Sequence, residues 1–197
     1  MKTRLSIIST LAGLALIGGS VRAADFVVDT THSDVGFKIA HLAISKVTGQ
    51  FTEFDGTLSL EPGKPETLTV NGTVKTASID TRNKKRDDHL RNADFFDAEK
   101  YPTITFKSTA VKALGGEKVQ VTGDLTIKDV TKPVTLTGTV SKVIKDPWGN
   151  TKVGVSLAGN IDRTDFGLKW NKALETGGLV VGTDVALSIE IEAAAKK

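Results

Sequence analysis

The stretch VQVTGDLTI, from Val119 to Ile127, settles the fold class. Val119, Val121, Gly123, Leu125 and Ile127 alternate with Gln120, Thr122, Asp124 and Thr126, the period of an extended chain with one dry face and one wet face. Outward from it, the alternation returns in Val153, Val155, Leu157, Gly159 and Ile161, and again in Val185, Leu187, Ile189 and Ile191. Weaker versions run from Val35 to Ala40, from Val47 to Leu60, from Leu68 to Thr76, from Thr103 to Val111 and from Val134 to Val140.

The pattern predicts about eight antiparallel strands. Turn signals separate them at Glu61 to Pro65, Gly115-Gly116, Lys128 to Pro133 and Asp146 to Asn150. The prolines are read as lying at turns or strand starts, where no ladder donor is lost. Strands joined in sequence order by short turns close most simply as an up-and-down barrel, with a two-sheet sandwich as the alternative. Two connections are long, Ala77 to Pro102 and Asp162 to Val181, and long connections are where a mouth, lid or site belongs. The first predicts a helix from Asn83 to Ala93, capped by Asn83 or Asp80. A second short helix is compatible with His41 to Val47.

Before the first strand, Lys2 and Arg4 precede an apolar run from Leu5 to Ile17 and then Val21-Arg22-Ala23. This is the layout of a cleaved secretory signal peptide over residues 1–23, followed by a single domain over 24–197. The leader holds three of the 26 basic residues (Lys2, Arg4 and Arg22) and none of the 23 acidic ones, so the mature part balances at 23 of each sign. A neutral chain gives no support to a nucleic-acid binder or to a polybasic membrane tether. There are no cysteines, hence no disulfide and no thiolate chemistry. Past the leader no apolar run reaches the ~18 residues of a membrane helix. Export without a stable anchor points to the bacterial periplasm.

Residues able to carry chemistry are few. Arg82, Lys84, Lys85, Arg86 and Arg91 gather around the predicted helix against Asp87 and Asp88, and arginine forks suit phosphate oxygens. The plainer reading is a solvated helix with an Asp87–Arg91 pair. His32, His41 and His89 do not form the spaced pairs used for zinc, so no metal site is expected. His32, Ser33 and Asp34 supply triad residue types but adjacent strand residues point oppositely, and no nucleophile elbow occurs. The apolar stripes are the best functional signal. An eight-stranded barrel either fills its interior with side chains or encloses one small apolar ligand. An outer-membrane barrel would want aromatic girdles, for which Trp148, Trp170 and Tyr101 are too few.

The chain resembles the YceI-like family of bacterial periplasmic proteins. The resemblance is carried by HSDVGFKIAHLAISKVTGQF from His32 to Phe51, SIDTRNKKRDDHLRNADFFDAEKYPTITFKSTAV from Ser78 to Val111, VTGDLTIKDVTKPVTL from Val121 to Leu136, and RTDFGLKWN from Arg163 to Asn171. Ala43 departs from the pattern, which has Gly after His-Leu. The resemblance implies an all-β, lipocalin-like, extended eight-stranded antiparallel barrel whose apolar cavity holds a polyisoprenoid pyrophosphate, an isoprenoid quinone or a related long-chain amphiphile, with no further cofactor.

On that basis Phe37, Ile39, Phe51, Phe54, Leu68, Val70, Ile104, Phe106, Leu125, Leu157 and Leu187 are expected to hold the tail. Arg86, His89 and Arg91 from one long connection, with Arg163 and Lys169 from the other, are expected to meet the head group. Phe95, Phe96, Tyr101 and Trp170 are candidates to close the barrel over it. Binding, with transport or storage, is expected rather than catalysis, and homodimerisation is left open. The rivals are a structural or stress-related envelope protein with a filled barrel, and an enzyme acting on a lipid pyrophosphate with His89 or Asp87 assisting.

Overall fold

The computed structural model describes residues 23–175 and 177–196, so the expected leader, Ala23 apart, lies outside the described residues. Twelve strand segments follow one another: β1 (Ala24–Val28), β2 (Asp34–His41), β3 (Ser45–Phe51), β4 (Phe54–Glu61), β5 (Lys64–Lys75), β6 (Ile79–Asp80), β7 (Thr103–Gly115), β8 (Lys118–Ile127), β9 (Val130–Val140), β10 (Ile144–Lys145), β11 (Thr151–Asp162) and β12 (Val181–Ala195). A helix, α1 (Lys84–Arg91), lies between β6 and β7. No described helix is long and apolar enough to cross a membrane.

All pairings are antiparallel, and β11, β9, β8, β7, β5, β4, β1 and β12 close a ring of eight through the β11–β12 pair. β2, β3 and β6 extend this ring upward, while β10 pairs with the lower end of β11. One edge of β12 is taken along most of its length by β11; the other carries β2 from Val181 to Glu190 and β1 from Ala193 to Ala195. β1 and β2 are therefore collinear, two pieces of one stave. By the same logic β3 and β4 form one stave, broken at Thr52–Glu53, and β5 and β6 another, because β2 pairs β3, β3 pairs β6, and β4 pairs both β1 and β5. The barrel is up-and-down in sequence order, as the alternation predicts, and taller on the side of the β2–β3 hairpin.

Three details differ from the sequence reading. His41 to Val47 is not helical: Leu42 and Ala43 take φ of 55° and 58° in a tight turn closed by the Ile44 N–H donating to the His41 carbonyl, and His41 pairs with Ser45. Hairpin ladder bonds on both sides outcompete a helix too short to sustain itself. The Val47 to Leu60 run is two strands, because the chain passes from pairing with β6 to pairing with β5 at Thr52–Glu53. Pro133 lies within β9, opposite Asp124, below the part of β9 beside turn residue Lys128 and outside the Thr137–Val140 stretch that β11 covers.

The core is divided by height. At the lower end Phe26, Leu60, Leu68, Val119, Val121, Val140, Val153, Val155 and Ala193 pack into a floor. Phe26, Val119, Val121 and Ala193 are 0 % exposed. Burying each large side chain there contributes on the order of 1.5–3 kcal/mol. At the upper end Phe95, Ile104, Leu125, Ile127, Phe166 and Leu168 form a second cluster that ties the two long connections to the strand ends.

Candidate functional site

Between floor and upper cluster the barrel is hollow. Every stave changes role along its inward stripe: Val119 and Val121 of β8 belong to the floor, while Leu125 and Ile127 line a cavity of about 380 Å³. β11 passes from Val153 and Val155 to Leu157 and Ile161, and β12 from Ala193 to Ile191, Ile189 and Leu187. The volume falls in the range of small-molecule sites, and the wall is mostly aliphatic and aromatic, as in such sites.

Small residues shape the chamber. The Phe106 ring lies across Gly123, where a Cβ would stand 2.4 Å from a ring carbon, so glycine is required for the ring to lie flat against β8. Gly72 lines the cavity, and a Cβ there would meet nothing nearer than the Asp55 carbonyl oxygen at 4.0 Å.

Of the residues expected to hold a tail, Phe37, Ile39, Phe51, Phe54, Val70, Ile104, Phe106, Leu125, Leu157 and Leu187 line the cavity. Leu68 does not: it is two residues below Val70 on the same stripe and packs in the floor. Sequence reading omitted Leu58, Leu136, Ile161, Ile189 and Ile191, all wall residues in phase with stripes it had recognised. It also omitted Leu90 of α1 and Leu168, which belong to no strand stripe.

The upper wall is aromatic and carries the arginine and histidine candidates. His89 stacks edge-to-face on Phe95 and on Trp170, each at 5.0 Å between centroids, while Phe51 meets Phe96 at 6.0 Å and Phe37 at 5.9 Å. Phe95, Phe96 and Trp170 line the cavity as expected of closing residues. Tyr101 does not, its ring being covered by Lys100 and Lys128.

Polar anchors rather than burial hold α1 in place, since KKRDDHLR offers only Leu90 to a core. Asn83 caps it, accepting from the Arg86 N–H at 3.1 Å. Buried Asp87 accepts from the Thr81 amide at 2.8 Å and the Thr81 hydroxyl at 2.6 Å, so it is not the surface partner of Arg91 that the i,i+4 spacing suggested. Arg91 instead pairs with Asp88 and donates to the Ala77 and Ile79 carbonyls at 2.6 and 2.8 Å, which fastens the helix to the stave below. These contacts keep Arg91 out of the cavity wall, and exposed Lys169 is likewise not part of it.

Arg86, His89 and Arg163 do line the cavity. Arg86 donates to the Thr81 hydroxyl at 2.7 Å and its carbonyl at 2.9 Å, and His89 Nε2 lies 2.9 Å from Asp94. Arg163 is 3 % exposed and donates to the carbonyls of Gly182, Leu168 and Val181, stapling the second long connection to the start of β12. Burial pushes its guanidinium below the ordinary arginine value, opposed by the neighbouring Asp162 carboxylate. Among the described residues neither Arg86 nor Arg163 forms an ion pair with a carboxylate; their contacts are to a hydroxyl and to carbonyls.

A separate polar cluster lies on the outside of the barrel, where Asp29, His32 and Glu192 bring ligand-type atoms within 4.8 Å of one another. Lys152 reaches both Asp29 and Glu192, so the group is an ion-pair network around the β11–β12 surface. Hydrogen bonds from Thr31 and then His32 hold the Asp29 carboxyl well below the usual carboxylate range.

Comparison with known proteins agrees with this architecture. The crystal structure of the Campylobacter jejuni YCEI protein superposes with a TM-score of 0.70 at 39% identity, covering 86% of this chain and 96% of that one. A polyisoprenoid binding domain from Saccharophagus degradans, at 17% identity, shares the fold with a TM-score of 0.66 over 89% of this chain and 100% of its own. Protein YceI of Escherichia coli O157:H7 is 40% identical over 183 residues, 92% of this chain and 93% of that protein. Residues 26–193 match the YceI-like domain, and the chain belongs to the YceI-like family.

Proposed function

We propose that this protein binds an isoprenoid lipid, such as a polyisoprenoid pyrophosphate or quinone, or a related long-chain amphiphile, and holds it for transport or storage without covalent chemistry. The observation that carries the reading is the chamber of about 380 Å³ walled by Phe37, Phe54, Phe106, Leu125, Leu157 and Leu187 above a packed floor. Its physical content is simple: each buried C5 unit of a chain removes apolar surface from water at ~25 cal/mol per Å², giving a few kcal/mol before ordering costs. Tail burial supplies affinity. Head-group preference falls to Arg86, His89 and Arg163 at the upper wall. The Saccharophagus degradans domain that shares the fold, described as polyisoprenoid binding, supports the ligand class.

The same reading has residues 1–23 removed on export, leaving 24–197 as one domain in the periplasm, in keeping with the family resemblance. It is tested by mass spectrometry of purified mature protein, native and after organic extraction, followed by uptake by the delipidated protein. A stoichiometric isoprenoid or fatty-acyl species, or saturable uptake of added chains, is the expected result. A clean apo mass with no uptake of isoprenoid quinone or pyrophosphate would overturn it in favour of a structural role. With an isoprenoid phosphate and the matching alcohol as paired ligands, Arg86→Met is expected to narrow the preference for the phosphate by roughly tenfold.

A further inference from the structure

We infer that the tip of the barrel formed by the Leu42–Ile44 turn and the Leu179–Val180 segment docks on an anionic phospholipid bilayer, where the chamber exchanges its ligand. The inference rests on the binding reading above and adds a partner and a place of exchange. The two segments form one surface because the Leu42 N–H donates to the Val180 carbonyl at 2.8 Å. Their side chains face water: Ile44 is 84 % exposed and Leu179 46 %. The cavity wall reaches this tip, since its lining includes His41, Val47, Val180 and Val181, which flank the exposed residues in the chain.

Charge completes the match. Exposed Lys46, two residues past Ile44, and exposed Lys172, whose carbonyl accepts from the Val180 N–H at 3.0 Å, flank the tip, against Glu175, and among the described residues neither lysine is ion-paired. An apolar tip with lysines around it is the composition of a surface that enters the headgroup region of an anionic membrane. The turn itself points the same way. Leu42 and Ala43 occupy left-handed positions that hairpins of this type ordinarily give to Asn and Gly, so apolar side chains stand there against local preference. The exposed apolar residues at the opposite end, Leu114, Ile144 and Trp148, do not line the cavity.

The test is co-sedimentation of the mature protein with extruded vesicles of phosphatidylethanolamine containing about one-third phosphatidylglycerol, against vesicles of phosphatidylcholine alone. Wild type is expected to partition to the anionic vesicles and to release as salt rises. Ile44→Asp with Leu179→Asp should weaken that partition by roughly tenfold or more, and the charge reversal Lys46→Glu with Lys172→Glu, on exposed residues that leave the fold intact, by a similar factor. Ile144→Asp at the far end should change nothing. Uptake of an isoprenoid alcohol dispersed without vesicles should be the same in all four proteins, which separates the two ideas. Normal uptake with no vesicle binding overturns the docking and leaves the binding reading standing. Vesicle binding that survives the tip variants, or a self-association abolished by Ile44→Asp with no partition of wild type to vesicles, also overturns it.

Discussion

The floor of the barrel and the chamber above it are built from the same period-two stripes, yet one is packed solid and the other is hollow. The difference is in what crosses the axis. In the floor Phe26 of β1 meets Val119, Val121, Val153, Val155 and Leu60 from staves around the ring, and the lower parts of the stripes close on one another. Above them, aromatic side chains lie along the wall rather than across it: the Phe106 ring covers Gly123, and the Phe37 ring covers Gly49, where a Cβ would stand 2.3 Å from a ring carbon. Glycines let large rings lie flat against the wall at the height of the chamber, whereas at the floor the side chains of the stripes close on one another. Stability is then concentrated in one region and binding in the other.

The largest effect that would break this comparison is in the floor. Phe26→Ala should cost about 3–5 kcal/mol, because a wholly buried ring leaves a cavity that the staves cannot close. Phe54→Ala in the chamber wall, half-buried and facing space already present, should cost about 1 kcal/mol. Urea unfolding of the two variants measures the contrast, and equal losses would mean that the chamber is as tightly packed as the floor. Next come the two glycines. Gly123→Ala should destabilise by about 1–3 kcal/mol, since the new methyl collides with the Phe106 ring and the Lys107 carbonyl. Gly72→Leu should leave unfolding nearly unchanged while reducing the chain length the protein takes up, because its side chain enters open space.

A smaller effect sharpens the picture at the tip. Ala43→Gly relieves a left-handed backbone at φ 58° and should stabilise by about 0.5–1 kcal/mol, read as a higher urea midpoint with the slope unchanged. It leaves Leu42 and Ile44 in place, so the apolar character of the tip is preserved.

Much of the fold was legible in the residues because alternation reports which face of a strand is dry. The up-and-down order follows from Val119 to Ile127 and its counterparts, and the Asn83 cap from its place before KKRDDHLR. Alternation is silent about height along the axis. Leu68 and Val70 stand about 7 Å apart on one stripe, and nothing local distinguishes the floor residue from the wall residue. It is equally silent about breaks within a stave: β1 contributes only ADFVV beside the leader, with Val27 turned outward and 43 % exposed, so the segment that joins β4 to β12 went unread. The head-group candidates divided for another reason. Arg86 and Arg91 look alike in sequence, but Arg91 has carbonyls of Ala77 and Ile79 within reach across 14 and 12 residues, a tertiary contact that no spacing announces.

The smallest effect concerns how the second long connection is held over the chamber. Asp162 begins it, accepting from the Thr164 hydroxyl at 2.6 Å and the Thr164 amide at 2.8 Å, and these bonds, the hydroxyl first, hold its carboxyl below the ordinary aspartate value. A depressed folded value stabilises the native state fully above about pH 4 and loses that contribution as pH falls through the depressed value. The floor cluster is aliphatic and aromatic, and the Asp29 carboxyl on the outside at that height is also held well below the carboxylate range, so the effect is local: acid should loosen the upper connection as Asp162 takes up its proton. In a Trp148→Phe background the remaining indole, Trp170, reports that connection through its stack on His89 and Phe95. Its emission is expected to shift below about pH 4 while the far-ultraviolet signal of the strands stays constant. Asp162→Asn keeps a neutral acceptor at the same place and should flatten the profile in that window. A shift that coincides with loss of the strand signal would mean that the connection and the floor unfold as one unit, and that the division between them is structural without being energetic.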